Sequence, residues 1–189
     1  FFSPEQQIIP DGLIVDGAEE IRKAIRQEIK FGSDWIKLLV TGAFMSAGDN
    51  PRNVHFSPEE LEAAVSEAAR FGVPVAAHAH ATEGIRMAVE AGVRSIEHGT
   101  YIDTETMDLM AERGTFLVPT LYVGDVLGEE DSNYREKALN IAFKQQEQAD
   151  LLARVGEAHR RGVRIAAGVD LGGYHHDPTE SAREVAALI

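Results

Sequence analysis

The sequence predicts an α/β fold, specifically a partial (β/α)8 barrel of the TIM type. Five short apolar segments alternate strictly with segments of helical pattern, which is typical of a parallel sheet joined by right-handed crossovers. Most of these apolar segments are continuous runs, as expected for strands that are covered on both faces. A complete barrel has eight such units in about 250 residues. Five units in 189 residues therefore predict its latter part, although an open doubly wound sheet fits the same alternation.

The first half of the chain carries three predicted helices and two predicted strands. Apolar residues recur at helical spacing in the first helix, which follows a loop-like start. The second helix opens with a capping box between Ser57 and Glu60 and stops near Gly72, and Gly92 closes the third. Both strands are apolar runs between turn residues. The predicted bounds are, in order, helix 18–31, strand 35–40, helix 58–72, strand 73–78 and helix 82–91.

The second half continues the alternation with three more strands. Asp103 caps a helix that ends at Gly114, and a long polar segment precedes a helix over about 134–161. A last helix opens at Asp177 and Pro178 and runs to the final residue. The predicted strands in this half are 93–97, 115–119 and 163–168.

Composition excludes several classes of function. The formal net charge is −13 and no Lys/Arg-rich run occurs, which argues against nucleic acid and anionic membranes as partners. There is no cysteine, so disulfides and thiolate metal ligands are excluded. No apolar stretch approaches the roughly 20 residues of a membrane span. The chain starts at Phe1 without signal-peptide features, so we expect a piece of a longer, cytoplasmic protein.

Lys37 lies inside the apolar run WIKLLV, an unusual place for an ammonium group. One interpretation is a lysine at a strand end whose amine reaches solvent. The other is a lysine held neutral by desolvation, which can add carbon dioxide and become a carbamate ligand.

Three histidines stand at the ends of two successive predicted strands. His78 and His80 lie in AAHAHAT, where a spacing of two puts both on one strand face or one of them in the loop. His98 closes the next strand, one βα unit later, so the two strand ends are neighbours in a barrel. Imidazoles are common ligands of zinc and similar metals. This arrangement favours a metal site over ordinary core histidines.

Asp170 ends the last predicted strand, in AAGVDLGG. An aspartate in such a place is commonly a helix cap or a turn residue. Its position at the same barrel mouth as the histidines instead favours a carboxylate that binds metal and accepts a proton from water.

Together these motifs resemble the amidohydrolase superfamily, in particular its prolidase-like and imidazolonepropionase-related branch. The family fold is a distorted (β/α)8 barrel with a one- or two-metal centre, usually zinc. The resemblance implies strands four to eight with their helices, so residues 1–189 would be the C-terminal portion of the catalytic barrel. Strands one to three and the flanking β-sandwich would be absent. The resembling stretches are GSDWIKLLVTGAFMS, FSPEELEAAVSEAARFGVPVAAHAHAT, AVEAGVRSIEHGTYID, FLVPTL and RIAAGVDLG.

The resemblance also implies roles for the five candidate residues. Lys37 matches the carboxylated bridging lysine, formed with carbon dioxide, and His78 and His98 match metal ligands of the fifth and sixth strands. Asp170 matches the aspartate that binds metal and shuttles the proton. His80 occupies a position from which a His or Tyr polarises the substrate carbonyl. Two Zn2+ ions are implied in the intact protein.

The implied function is metal-dependent hydrolysis of an amide bond in a dipeptide of the Xaa-Pro kind or in an N-acyl amino acid. A cyclic amide, as in imidazolonepropionase, is the alternative substrate. There are two other hypotheses. The chain is truncated and catalytically incomplete, or its histidines come together by chance and form no metal site. The expected partner is a small molecule or dipeptide, and a homo-oligomer is left open.

Overall fold

The computed structural model describes residues 13–44, 49–123, 141–170 and 181–189 of the chain. Five strands and six helices alternate within these ranges. The strands are β1 (Ile36–Leu39), β2 (Val75–Ala79), β3 (Ser95–His98), β4 (Phe116–Val118) and β5 (Arg164–Ile165). The helices are α1 (Ala18–Lys30), α2 (Pro58–Ala69), α3 (Thr82–Ala91), α4 (Thr104–Arg113), α5 (Ile141–Arg160) and α6 (Ala182–Ala187).

The strands form one parallel sheet in the order β1-β2-β3-β4-β5. Each strand therefore pairs with the strand that follows it in the chain. A doubly wound sheet would reverse direction at a switch point, and no reversal occurs among these strands. The helices follow the same order, with α1 against α2, α2 against α3 and α3 against α4. The predicted α/β fold, a partial (β/α)8 barrel, is confirmed.

The hydrophobic core lies between the sheet and the layer of helices. Ile36, Leu38 and Val40 face this core, together with Ala77 and Ala79 of the next strand. The alternate residues line the opposite, concave face, which corresponds to the inside of a barrel. Leu39 on this face is 45% exposed, and Lys37 beside it is also exposed. Lys37 and Leu39 thus lie in a surface that water can reach.

Helix ends follow the sequence signals closely. Ser57 and Glu60 form the capping box at the start of α2, each side chain bonded to the backbone of the other. The carboxylate of Asp103 accepts a hydrogen bond from the Thr106 N–H at the start of α4. Gly92, at the end of α3, adopts the left-handed conformation that a helix stop requires. These predicted caps are confirmed.

The last strand is shorter than predicted. Strand 163–168 was expected, but the ladder of β5 covers only Arg164–Ile165. Its partner β4 has three residues and is followed by Pro119, which has no N–H to continue a ladder. The chain nevertheless stays beside β4, because Gly168 lies so close to Val118 that a Cβ atom would collide with it. Asp170 consequently lies beyond the end of the paired strand.

Helix α5 is described from Ile141, and the earlier part of the predicted helix 134–161 lies outside the described residues. The predicted opening of the last helix at Asp177 lies outside them too. None of the helices in the described ranges is both long enough and apolar enough to cross a membrane.

Candidate metal centre

Three imidazoles converge at the carboxyl end of β2 and β3. His78 lies in β2, His80 follows it directly, and His98 ends β3. One ligand nitrogen from each of the three lies within 4.8 Å of the others. The ring of His78 is 4.6 Å from those of both His80 and His98, and the rings of His80 and His98 are stacked at 4.8 Å. A single ion can be reached by nitrogens at this spacing.

The backbone of His98 aims its side chain into this group. In the sheet register His98 lies beside Ala79, which is fully buried against the helices. Residues in register on parallel strands share a face, so regular geometry would send His98 into the helix-side core. Instead its φ angle is 73°, in the left-handed region, and the imidazole joins His78 on the concave face. Thr120 and Asp170 have φ angles of 53° and 51° at the same end of the sheet.

Hydrogen bonds select the ring nitrogen of His98 that is available to a metal. Nδ1 of His98 lies 2.7 Å from the hydroxyl of Thr120, and this hydroxyl donates its own proton to the Pro119 carbonyl oxygen at 2.7 Å. The hydroxyl must therefore accept from His98, so Nδ1 carries the proton and Nε2 has the lone pair. This second-layer arrangement is the usual one around metal-bound histidines.

His78 presents the opposite nitrogen. Its Nε2 lies 3.3 Å from the carbonyl oxygen of Gly42, which can only accept a hydrogen bond. Nε2 therefore carries the proton and Nδ1 has the lone pair. His80 is held twice, because its N–H donates to the Thr41 hydroxyl at 2.9 Å and its Nδ1 lies 2.8 Å from the Thr100 hydroxyl.

Burial keeps all three imidazoles neutral. Desolvation, only partly offset by the Gly42 carbonyl, lowers the pKa of His78 to about 4. Desolvation also lowers the pKa of His80 and of His98 well below the ordinary value, and the neighbouring imidazoles add to the effect. A neutral imidazole is the form that binds a metal. The donor set therefore fits a divalent transition metal.

Lys37 lies within electrostatic reach of His78 and His98, and Asp170 lies within electrostatic reach of Lys37. Desolvation lowers the pKa of Lys37, while the carboxylates of Glu97 and Asp170 act in the opposite direction. Desolvation raises the pKa of Asp170, and the charge of Lys37 opposes it. Both residues are exposed, so water still reaches them and screens these effects. The charge of Lys37 also disfavours protonation of His78 and His98, which places the lysine within electrostatic reach of the imidazoles.

Three threonines hold His80 and His98 in place, and none of them was predicted from the sequence. Thr41 follows the apolar run of β1 and contacts the His80 backbone, and Thr120 follows the run of β4 and contacts His98. Thr100 comes two residues after His98. A hydroxyl residue placed directly after a strand was the available signal. Its partner could not be read from the sequence, because the contacts join residues 20 to 39 positions apart.

Aromatic side chains lie on one side of His80. The edge of the Phe44 ring meets the His80 ring at 4.7 Å, and Tyr101 lies 6.3 Å from Phe44. The guanidinium group of Arg52 stacks on Tyr101 at 3.8 Å from the ring centre. The aromatic rings shield His80 from water, and Arg52 provides a positive charge at this rim.

Comparison with known proteins decides the family. The model of the Amidohydrolase family matches residues 1–189, the whole chain. The chain belongs to the amidohydrolase family. The resemblance noted in its motifs is thus confirmed, and the converging imidazoles occupy the C-terminal edge of its parallel sheet, where barrel proteins carry their functional groups.

Several amidohydrolase relatives have known names and structures. Ochratoxinase of Aspergillus niger is 40% identical over 157 residues, which are 83% of this chain and 32% of that protein. A Xaa-Pro dipeptidase crystallised with methionine in its active site superposes with a TM-score of 0.82 at 37% identity, over 92% of this chain and 43% of the dipeptidase. A prolidase complexed with N-methylphosphonate-L-proline superposes with a TM-score of 0.83 at 31% identity, over 98% of this chain and 48% of the prolidase. The chain thus spans about a third to a half of the length of these relatives.

Proposed function

We propose that the protein to which this chain belongs is a metal-dependent hydrolase that cleaves an amide bond in a small molecule. The observation that carries the proposal is the convergence of three neutral imidazoles, two of them buried and that of His98 partly buried, at the carboxyl end of the parallel sheet. Family membership supports the reaction class, because relatives of known name include a Xaa-Pro dipeptidase, a prolidase and ochratoxinase.

The proposed metal ligands are Lys37, His78, His98 and Asp170. His78 would bind through Nδ1 and His98 through Nε2, the nitrogens that their hydrogen bonds leave with a lone pair. Lys37 would act as its carbamate, because a lowered pKa makes the amine available to carbon dioxide. Zinc suits a donor set of imidazole and carboxylate, and we propose a two-metal centre. When bound, the metal lowers the pKa of water and polarises the substrate carbonyl.

Asp170 would accept the proton of the attacking water, and His80 would stabilise the oxyanion. Asp170 has a raised pKa, so its carboxylate is a better proton acceptor than an ordinary aspartate. His80 is buried, and the hydroxyl of Thr100 can donate to its Nδ1 and so leave a proton on Nε2. A fixed N–H donor in a water-poor site stabilises the negative charge that develops on a carbonyl oxygen. The hydrogen bond from its backbone N–H to Thr41 keeps His80 in place.

The proposed substrate is a dipeptide of the Xaa-Pro kind or an N-acyl amino acid. Both carry a free carboxylate beside the scissile amide, and Arg52 supplies a positive charge at the rim near His80. The net charge of the chain is strongly negative and repels anions. A local arginine would therefore help to attract an anionic substrate to this point.

The test uses the protein in its natural full length. After purification with zinc and bicarbonate, metal content and hydrolysis are measured on panels of Xaa-Pro dipeptides, N-acyl amino acids and cyclic amides. We expect bound zinc and turnover of the first or second panel, with both lost in His98→Ala. His159→Ala is the matched control, because His159 lies exposed in the last turn of α5. Turnover that persists in His98→Ala, or a protein that holds no metal, would contradict the proposal.

A further inference from the structure

Glu184 is a fully buried carboxylate on helix α6, outside the group of imidazoles. Its two oxygens accept hydrogen bonds from the backbone N–H groups of Leu121, at 3.1 Å, and Tyr122, at 2.7 Å. The neighbouring Arg183 contacts the hydroxyl of Tyr122 and lies over its ring. Helix α6 therefore contacts the segment that follows β4 through two successive side chains.

A buried carboxylate is costly to a fold unless its oxygens are satisfied. Residues 121–123 are helical, and the first N–H groups of a helical turn have no acceptor inside the turn. The carboxylate of Glu184 supplies that acceptor and also matches the positive end of the turn. Because each oxygen accepts one N–H, a carboxamide in its place could satisfy only one of them. The need for acceptors at 121 and 122 therefore favours a carboxylate at this position.

The N–H of Leu121 belongs to the peptide group that joins Thr120 to Leu121. A hydrogen bond to this N–H holds the peptide plane and with it the ψ angle of Thr120. Thr120 has a φ angle of 53°, which a β-branched residue adopts only when its surroundings hold it. Its hydroxyl in turn accepts the proton of His98 Nδ1 at 2.7 Å. Glu184 is thus linked to the His98 imidazole through one backbone angle and one hydroxyl.

We propose that Glu184 is a positioning residue of the metal centre, which acts on His98 through the backbone of Thr120. The carboxylate holds the peptide plane after Thr120, and the threonine hydroxyl then keeps the proton of His98 on Nδ1 and the lone pair on Nε2. This inference rests on the proposed function, because it assumes that His98 binds a metal.

The test is a double-mutant cycle on metal affinity in the natural full-length protein. Zinc affinity is measured by competition with a chromogenic chelator for wild type, Glu184→Gln, Thr120→Val and the double variant. Loss of an outer partner of a metal-bound histidine typically costs about 10- to 100-fold in affinity. We expect such a loss in each single variant and little further loss in the double variant. Thr120→Ser, which keeps the hydroxyl, should restore most of the affinity.

A second readout reports geometry without activity. In the cobalt-substituted protein, Glu184→Gln should change the visible d–d spectrum in the same way as Thr120→Val. Glu67→Gln is the matched control, because Glu67 is also buried but joins α1 to α2 through Arg26. It should lower thermal stability and leave zinc affinity and the cobalt spectrum unchanged. If Glu184→Gln does not fold, Glu184→Asp keeps both acceptor oxygens and should show a smaller loss of affinity and the same spectral change.

The outcomes separate the two proposals. Wild-type zinc affinity in Glu184→Gln, or losses that add up fully with Thr120→Val, would overturn the positioning role and leave the proposed function standing. A similar loss of affinity in Glu67→Gln would also overturn it, since general destabilisation would then be the cause. A wild-type protein without metal would overturn both.

Discussion

His98 and Ala79 are neighbours in the register of two parallel strands, yet their side chains lie on opposite faces of the sheet. The left-handed backbone at His98 produces this difference and brings its ring to 4.6 Å from that of His78. The proposed metal centre therefore depends on a local departure from regular strand geometry, and not only on which residues end the strands.

The pKa values of the three histidines predict how the stability of the metal-free protein changes with pH. Each is lowered in the folded protein, to about 4 for His78, whereas an unfolded histidine titrates near 6.5. Below pH 6.5 the unfolded state therefore binds more protons than the folded state. We expect the contribution of these histidines to the free energy of unfolding to be fully present above pH 6.5. The free energy of unfolding should then decrease as the pH falls from there towards 4.

Urea denaturation of the metal-free protein between pH 7.5 and 4.5 measures this dependence. His78→Asn should show a weaker decrease over the range, since it removes one of the groups concerned. A free energy of unfolding that rises as the pH falls from 6.5 would contradict the expectation.

Replacement of Lys37 should strongly weaken metal binding in the natural full-length protein. The Lys37→Ala variant lacks the stem of the proposed carbamate, which supplies a carboxylate ligand. We expect zinc content and hydrolysis to fall at least about tenfold, in line with the loss of a metal-supporting group. Added formate or acetate should restore part of both, because a short carboxylate can occupy the gap. Lys30→Ala, at the exposed end of α1, is the control. Full zinc content in Lys37→Ala would exclude a role as ligand.

His80 has two candidate roles, as a donor to the carbonyl oxygen or as a metal ligand. The zinc content of a His80 variant distinguishes them. As a donor to the carbonyl oxygen, it should be dispensable for metal binding, so that His80→Asn keeps its zinc. The loss of one such donor typically lowers kcat by about 100- to 1,000-fold. Elemental analysis and steady-state kinetics on the same preparation give both values. Loss of zinc together with kcat would instead make His80 a third imidazole ligand, as its distance from the other two permits.

Gly168 should not tolerate a side chain. A Cβ atom at this position would collide with Cγ1 of Val118, so Gly168→Ala forces the segment that leads to Asp170 away from β4. Overpacking of this kind costs about 1–3 kcal/mol. Urea denaturation should show the loss, and Val118→Ala in the same protein should recover part of it by removing the colliding methyl group. Unchanged stability in Gly168→Ala would mean that the two strands separate easily.

The parallel sheet and most helix boundaries follow from patterns that act over a few residues. Capping residues such as Ser57 and Asp103, and the glycine that ends α3, act locally and are visible in the sequence. His78 and His98 were paired from the spacing of one βα unit, which is also a short-range argument. The left-handed conformations at His98 and Asp170 escaped prediction, because neither is a glycine and nothing nearby in the sequence requires them.

Contacts between residues far apart in the sequence also could not be predicted. Glu184 meets Leu121 and Tyr122 across more than 60 residues, and an acidic residue in a short helix gives no indication of such partners. The early end of β5 has a similar origin, since Pro119 in the neighbouring strand limits the ladder.

The left-handed backbone at His98, Thr120 and Asp170 also bears on how the protein can change. Conformations of this kind cost roughly 1–3 kcal/mol each for residues with a side chain. Glycine would remove the cost, and asparagine would reduce it. A selection for heat resistance alone, without regard to activity, should therefore collect glycine and asparagine at these three positions while it destroys the proposed metal centre. Such substitutions would identify the functional end of the sheet, because the fold gains stability there when function is lost.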